Sequence, residues 1–138
     1  MSDEVRELKE GDGWAAAHVD TLGDELGFRK IRQPLGVTAF GVNALVLPPG
    51  HEGFLHYHDT QDELYFVHKG RVKVDADGES RELGEGGLFH VEATTPRSIS
   101  NPFGEEAVVF VVGGKDGYVE RDGHLVEAAD LERRASFG

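Results

Sequence analysis

Residues 50–70 read GHEGFLHYHDTQDELYFVHKG. Alternate side chains of a β-strand lie on the same face, so His56 and His58 point to one side of a strand. The residues that follow predict a β-hairpin with 59–62 as its loop, which places Glu63 directly opposite His58 on that face. The stretch therefore predicts two imidazoles and one carboxylate that converge on one point.

These three side chains form a good set of ligands for a metal ion. Imidazole nitrogens and carboxylate oxygens both bind divalent transition metals, and the carboxylate offsets part of the positive charge. We therefore expect one divalent transition metal (iron, manganese, nickel or zinc) at His56, His58 and Glu63. The alternative is a buried polar cluster that holds no metal.

The same alternation assigns the rest of the hairpin to two faces. Tyr65 shares the face of the ligands, and Gln61 in the loop is near it, so both are candidate substrate-binding residues. The other face carries apolar side chains that need a cover, which a second sheet, an N-terminal arm or a partner subunit would supply. A homodimer is expected on this basis. The side chains assigned to the outer face are Leu55, Tyr57, Leu64, Phe66 and His68.

The spacing of turn-forming residues in the rest of the chain is typical of an all-β domain. Nineteen glycines and five prolines divide it into short apolar runs. About eight to ten short strands at this spacing predict a jelly roll or another closed β architecture. The dipeptide Asp77-Gly78 predicts a tight hairpin turn, and residues 127–136 predict the one helix. The predicted strands are 28–33, 38–47, 54–58, 64–68, 71–75, 80–83, 88–92, 97–101 and 107–112.

The opening stretch resembles the first sequence motif of the cupin superfamily. Gly50-x5-His56-x-His58-x4-Glu63-x6-Gly70 matches that motif at each fixed residue and each spacing. Five fixed residues over 21 positions rarely coincide by chance. The resemblance is to the small, single-domain, conserved-barrel cupins.

This resemblance covers roughly residues 40–112 and implies a cupin jelly-roll β-barrel, often dimeric, with a metal deep in the barrel. We expect a single domain over residues 1–138. Its barrel core is placed at about 28–113, between an N-terminal arm (1–27) and a C-terminal extension (114–138) with a short helix.

The second cupin motif, Gly-x5-Pro-x-Gly-x2-His-x3-Asn, is degraded. Counting back from Asn101 places its first glycine at Gly86 and its histidine at Arg97. In the family that histidine is usually a fourth metal ligand, whereas an arginine stays protonated and cannot ligate. Three alternatives stay open: a three-ligand site with open positions, His90 as a fourth ligand, or a metal-free barrel in which Arg97 pairs with Glu63.

Composition excludes several classes of partner and site. A net charge of -12 disfavours nucleic acid and anionic membranes as partners. The absence of cysteine excludes disulfides, thiolate metal sites and a cysteine nucleophile. No apolar run approaches the roughly 20 residues that span a bilayer, and the acidic N-terminus is unlike a secretory signal, so we expect a cytoplasmic protein.

The function that follows is a metal-dependent enzyme acting on a small, anionic molecule. Dioxygenase, isomerase and lyase chemistries all occur on cupins, and the fold does not choose among them. Arg97 is the candidate to hold the anionic group through a two-pronged contact. The alternative is a non-catalytic cupin that only binds a small molecule.

Overall fold

The computed structural model describes residues 4–23 and 27–137. It is built almost entirely of β-strands, which confirms the predicted all-β jelly roll. Residues 1–3 and 24–26 of the predicted N-terminal arm, and residue 138, lie outside the described residues. The strands are β1 (Lys9–Gly11), β2 (Trp14–Ala16), β3 (Gly27–Lys30), β4 (Gly41–Leu47), β5 (His56–His58), β6 (Asp62–Lys69), β7 (Val72–Ala76), β8 (Glu79–Leu83), β9 (Leu88–Val91), β10 (Arg97–Ser100), β11 (Ala107–Gly114) and β12 (Gly123–Leu125); the helices are α1 (Arg32–Leu35) and α2 (Asp130–Phe137).

Two five-stranded antiparallel sheets face each other. One has the order β12-β5-β10-β7-β8 and the other β3-β4-β11-β6-β9, while β1 and β2 form a separate two-stranded hairpin. The predicted turn between β7 and β8 is present, with positive φ angles at Asp77 and Gly78 that suit a tight hairpin. Strands that are distant in sequence therefore become neighbours, as in a jelly roll.

The core lies between the two sheets and follows the alternation of the strands. In β6 the side chains of Glu63, Tyr65 and Val67 are buried, whereas Leu64 and Phe66 between them are exposed. This period of two matches the faces that the sequence predicts for this strand. The buried apolar core consists of Leu45, Leu47, Tyr65, Val67, Val72, Val74, Val91, Ile99, Ala107 and Val109.

The N-terminal arm covers part of the outer face of the β3-β4-β11-β6-β9 sheet. Val19 and Leu22 pack against a second apolar cluster that includes Val46 and Val108. Leu88 and its outward-facing neighbours on β6 stay exposed. The arm therefore covers the side of the sheet near β3 and β4 and leaves the side near β6 and β9 open.

The predicted hairpin between residues 54–58 and 64–68 is wrong. β5 pairs with β10 and β12, whereas β6 pairs with β11 and β9 in the opposite sheet. The connecting residues Thr60 and Gln61 donate their backbone N–H groups to the carboxylate of Asp122. The connection therefore crosses from one sheet to the other.

Three smaller differences concern the ends of the domain. The strand predicted at 28–33 ends at Lys30 and is followed by the short helix α1. The C-terminal helix, predicted from residue 127, begins at Asp130. The predicted C-terminal extension supplies β12 to a sheet.

Among the described residues, no helix has the length and apolar character needed to cross a membrane.

Candidate metal centre

His56, His58 and Glu63 meet in the interior between the sheets. The two histidines lie on β5 and Glu63 lies on β6, so the carboxylate approaches the imidazoles from the opposite sheet. Glu63 Oε1 is 3.2 Å from His58 Nε2 and 4.0 Å from His56 Nε2. One ligand atom from each residue lies within 4.8 Å of the others, so a single ion could contact all three.

Hydrogen bonds on the far side of each imidazole set which nitrogen faces this point. His56 Nδ1 is 2.9 Å from the carbonyl oxygen of Phe54, and His58 Nδ1 is 2.8 Å from Asp122 Oδ1. Both partners are acceptors, so each Nδ1 carries the hydrogen and donates it. In the neutral rings, each Nε2 then presents its lone pair toward Glu63, as a metal ligand requires.

The Nε2 atom of His58 supplies the test of whether these residues fit a metal. It is buried, and no described residue makes a hydrogen bond of good geometry with it, although Glu63 Oε1 is only 3.2 Å away. A buried polar atom without a hydrogen bond is costly unless a ligand satisfies it. Two imidazole nitrogens and one carboxylate oxygen also match the ligand types that divalent transition metals prefer. The residues therefore fit a metal ion.

Opposing effects shift the pKa values of the three side chains. Burial lowers the pKa of His56, which favours the neutral ring. Burial acts in the same direction on His58, but its contact with Glu63 and its hydrogen bond to Asp122 outweigh it and raise the pKa. Burial alone would raise the pKa of Glu63, but His58, Tyr65 and Arg97 together lower it, so Glu63 is ionised.

Tyr65 lies behind the carboxylate and holds it in place. Its side chain is buried, and its hydroxyl donates a 2.7 Å hydrogen bond to Glu63 Oε1. Burial, followed by the negative charge of Glu63, raises the pKa of Tyr65 well above its usual range, so the hydroxyl keeps its proton. The side chain faces the interior and is engaged with Glu63.

Asp122 belongs to the site but was missed by the sequence reasoning. Besides His58, its carboxylate accepts hydrogen bonds from the backbone N–H groups of Thr60 and Gln61 and from the Gln61 side-chain amide. Burial raises the pKa of Asp122, but these hydrogen bonds outweigh it and hold the pKa far below its usual range. The local sequence gives no signal for this role, because Asp122-Gly123 reads as an ordinary turn.

Arg97 occupies the place of the missing fourth ligand. It lies opposite His56 in the β5–β10 pair, is 1% exposed, and places Nε 3.8 Å from Glu63 Oε1. Its two terminal nitrogens donate to the backbone carbonyls of Ala93 and Glu92. The prediction that Arg97 holds a substrate through both terminal nitrogens is therefore wrong, because both nitrogens already donate to backbone carbonyls. Within the described part of the chain, Arg97 Nε has no hydrogen-bond partner, and it faces Glu63.

Two other candidate residues lie away from the metal ligands. His90 is exposed and is in register with Leu64, so it lies on the outer face of the sheet and cannot be the fourth ligand. This correction follows from the period of two, because Glu63 is in register with Val91 instead. The side-chain amide of Gln61 donates to Asp122 Oδ1 at 2.7 Å, so Gln61 supports the connection between the sheets.

The site is reached from the side of His56. The His56 side chain is 24% exposed, whereas those of His58 and Glu63 are each 11% exposed. A surface cavity of about 560 Å³ is lined by Glu63 but not by His56 or His58, and a second cavity of about 450 Å³ is lined by none of the three residues.

Comparison with known proteins identifies the family. A family model described as "Cupin domain" matches residues 44–113, half of the chain. The chain belongs to the cupin family. Curated relatives of this cupin include an uncharacterized protein of Methanocaldococcus jannaschii, which is 32% identical over 56 residues that cover 41% of the chain and 45% of the relative. The chain thus matches less than half of that relative's length.

Solved structures share the fold. A cupin protein from Bacteroides fragilis has a TM-score of 0.61 at 21% identity, covering 85% of this cupin and 92% of that chain. A sugar phosphate isomerase of the cupin superfamily from Silicibacter pomeroyi has a TM-score of 0.60 at 21% identity, covering 74% and 76%. At these identities the likeness establishes the jelly roll and leaves the activity to be argued from the site.

Proposed function

We propose that this cupin binds one divalent transition metal through His56, His58 and Glu63, and acts as a metal-dependent enzyme on a small anion. The observation that carries the proposal is the orientation of the two Nε2 atoms. Each imidazole donates its Nδ1–H to a fixed acceptor, and His58 Nε2 is buried without a hydrogen-bond partner among the described residues. A metal ion satisfies that atom and joins it to the carboxylate.

Three protein ligands leave coordination positions for a small molecule. Arg97 fills the place of a fourth ligand but cannot ligate. When bound, the metal would supply a Lewis acid that polarises an oxygen atom of the substrate. The protein contributes the orientation: Tyr65 fixes the Glu63 carboxylate, and Asp122 fixes the His58 ring.

The charge balance of the interior favours an anion. Glu63 and Asp122 each carry one negative charge, and Arg97 carries one positive charge. A divalent ion would leave the buried group with one excess positive charge, which is costly in a medium of low dielectric constant. A carboxylate or phosphate oxygen would remove this excess. The Arg97 Nε–H, which lacks a partner, supports such an anion.

The test is to load the metal-free protein with iron, manganese, nickel or zinc and to titrate it with citrate, phosphate and simple 2-oxo acids. We expect saturable anion binding that needs the metal and falls about tenfold or more in Arg97→Met, since a hydrogen bond to a charged group contributes about 1.5–3 kcal/mol. Equal anion affinity in wild type and Arg97→Met would contradict an anionic substrate.

Catalysis is tested on the same loaded protein with dioxygen uptake and with product detection on a panel of carboxylates and sugar phosphates. Turnover that disappears in Glu63→Gln supports an enzyme. Binding without turnover favours the alternative, a non-catalytic small-molecule-binding cupin.

Two further parts of the proposal concern the protein as a whole. We propose a homodimer in which a second copy covers the side of the sheet near β6 and β9, where Leu64, Phe66 and Leu88 are exposed.

We also propose the cytoplasm as the compartment of this protein. An acidic, cysteine-free composition supports this assignment.

A further inference from the structure

We propose that residues 122–133, here called the C-terminal clasp, position both histidines of the metal centre. The inference rests on the proposed metal site and adds residues that lie outside the matched cupin domain of residues 44–113. The clasp contains β12 and the start of α2. Its positioning residues are Asp122 and Gly123 for His58, and Arg133 for His56.

The clasp contacts the ring of His58 directly. Its Nδ1 atom donates to Asp122 Oδ1, and Asp122 is itself held by three further hydrogen bonds from the connection between the sheets. The ring also lies directly on Gly123: a Cβ atom there would be 3.1 Å from His58 Cε1 and 3.4 Å from Nδ1. Asp122 therefore fixes the rotation of the imidazole. Because glycine has no Cβ atom, Gly123 allows the ring to pack closely against β12.

The clasp acts on His56 through the segment that precedes it. The guanidinium of Arg133 donates to the backbone carbonyls of Glu52 and Gly53 and lies 3.9 Å from the centre of the Phe54 ring. The carbonyl of Phe54 is the acceptor that orients His56 Nδ1. Arg133 therefore holds the segment that carries this acceptor.

A backbone hydrogen bond ties the clasp to the same segment between these two contacts. The N–H of Val126 donates to the carbonyl of Leu55 at 3.0 Å, and β12 pairs with β5 along its length. Each histidine is thus oriented by an atom whose place depends on the docked clasp. Because coupling between two binding events is reciprocal, metal binding and docking of the clasp must stabilise each other.

The experiment compares Asp122→Ala, Gly123→Ala and Arg133→Met with wild type, measuring Co²⁺ affinity by competition with a chromophoric chelator. The matched control is Asp59→Asn, which neutralises an exposed carboxylate beside the clasp (Asp59 Oδ2 to His124 Nε2, 2.8 Å) but keeps an acceptor oxygen and leaves the contacts that orient His56 and His58 in place. Loss of a carboxylate partner of a metal-binding histidine typically weakens metal binding 10–100-fold. We expect a loss of that size for Asp122→Ala, smaller losses for Gly123→Ala and Arg133→Met, and no change for Asp59→Asn.

Two further readouts separate a positioning role from a general loss of structure. The visible absorption spectrum of the Co²⁺ form should change in Asp122→Ala and be partly restored in Asp122→Asn, which keeps an acceptor oxygen. In the metal-free protein, the ¹⁵N resonances of the His58 ring should shift in Asp122→Ala and Gly123→Ala but not in Asp59→Asn. If Asp122→Ala does not fold, the Co²⁺ affinities of Gly123→Ala and Arg133→Met still test whether the clasp positions the histidines.

The outcomes distinguish this inference from the proposed function. Wild type that binds no metal contradicts the proposed function, and the His58 ring resonances of the metal-free variants then test the clasp alone. Tight Co²⁺ binding in wild type with unchanged affinity, spectrum and ring resonances in the clasp variants would overturn the clasp and leave the metal site standing.

Discussion

Replacing Arg97 with methionine removes a buried positive charge from beside the metal site while keeping an unbranched side chain in its place. Arg97 Nε lies 3.8 Å from Glu63 Oε1. A metal ion bonded to that oxygen at about 2 Å would therefore be no more than about 6 Å from the guanidinium nitrogen. The ion and the arginine repel each other, and the substitution should tighten metal binding.

The size of the effect follows from Coulomb's law. A divalent ion and a unit positive charge about 6 Å apart repel by about 1.4 kcal/mol in water and by about 5.5 kcal/mol at an effective dielectric constant of about 20. Since about 1.4 kcal/mol corresponds to a tenfold change in affinity, Arg97→Met should bind the metal at least about tenfold more tightly.

The metal-free variant should lose stability at the same time. Glu63 loses its cation, and the carbonyls of Glu92 and Ala93 lose the donors that Arg97 provides. Breaking a buried ion pair by removing one partner costs about 3–5 kcal/mol in the free energy of unfolding. A bound metal should restore part of this loss, because it compensates the charge of Glu63.

The assay is competition with a chromophoric chelator for Co²⁺, beside thermal unfolding with and without the metal. Arg97→Lys, which keeps the charge, is the control and should bind close to wild type. Arg97→His should bind more tightly than Arg97→Met, because its ring would lie opposite His56 in the β5–β10 pair and add a ligand. Unchanged or weaker binding in Arg97→Met would refute the reasoning.

The remaining predictions concern the ligands, the pH, the assembly and the fold. His56→Ala combined with His58→Ala should abolish metal binding in equilibrium dialysis, and full occupancy in this variant would exclude both residues as ligands. Histidine must lose its proton to ligate, and the pKa of metal-free His58 is raised above 6.5, so metal affinity should fall as the pH drops through that raised value; an affinity that stays flat from about pH 8 to about pH 5 would argue against histidine ligands. Light scattering at micromolar concentration should show a homodimer, and Leu88→Lys should weaken it, whereas a monomeric wild type would contradict the assembly. Asn101→Ala removes three hydrogen bonds, made with Leu47, Phe103 and Glu105, and should lower the free energy of unfolding by about 3 kcal/mol in urea titrations. An unchanged free energy of unfolding would show that these hydrogen bonds do not stabilise the fold.

Local patterns in the sequence predicted much of the interior. The alternation along β6 correctly separated buried Tyr65 and Val67 from exposed Leu64 and Phe66, because a strand's period of two is a property of the backbone. The spacing of the first motif likewise selected His56, His58 and Glu63, which the structure brings together. The faces of β6 needed no knowledge of which strands pair, whereas Glu63 was placed beside His58 through a hairpin that does not form.

Features that depend on pairing between distant strands could not be predicted in this way. The hairpin between β5 and β6 was the simplest connection for neighbouring strands, but the carboxylate of Asp122 takes the amides of the connecting residues. Asp122 reaches His58 from 64 residues further along the chain. The engagement of Arg97 with the carbonyls of Glu92 and Ala93 depends on the fold of a turn, which no residue pattern specified.

The central claim is that one metal ion is held between His56, His58 and Glu63. Elemental analysis of the purified protein, beside an anomalous difference map from its crystals, tests this claim most directly. We expect about one transition-metal ion per chain, with an anomalous peak at about 2.0–2.2 Å from the two Nε2 atoms and from Glu63 Oε1. Protein that stays metal-free after incubation with iron, manganese, nickel and zinc, with no anomalous peak in the barrel, would contradict it.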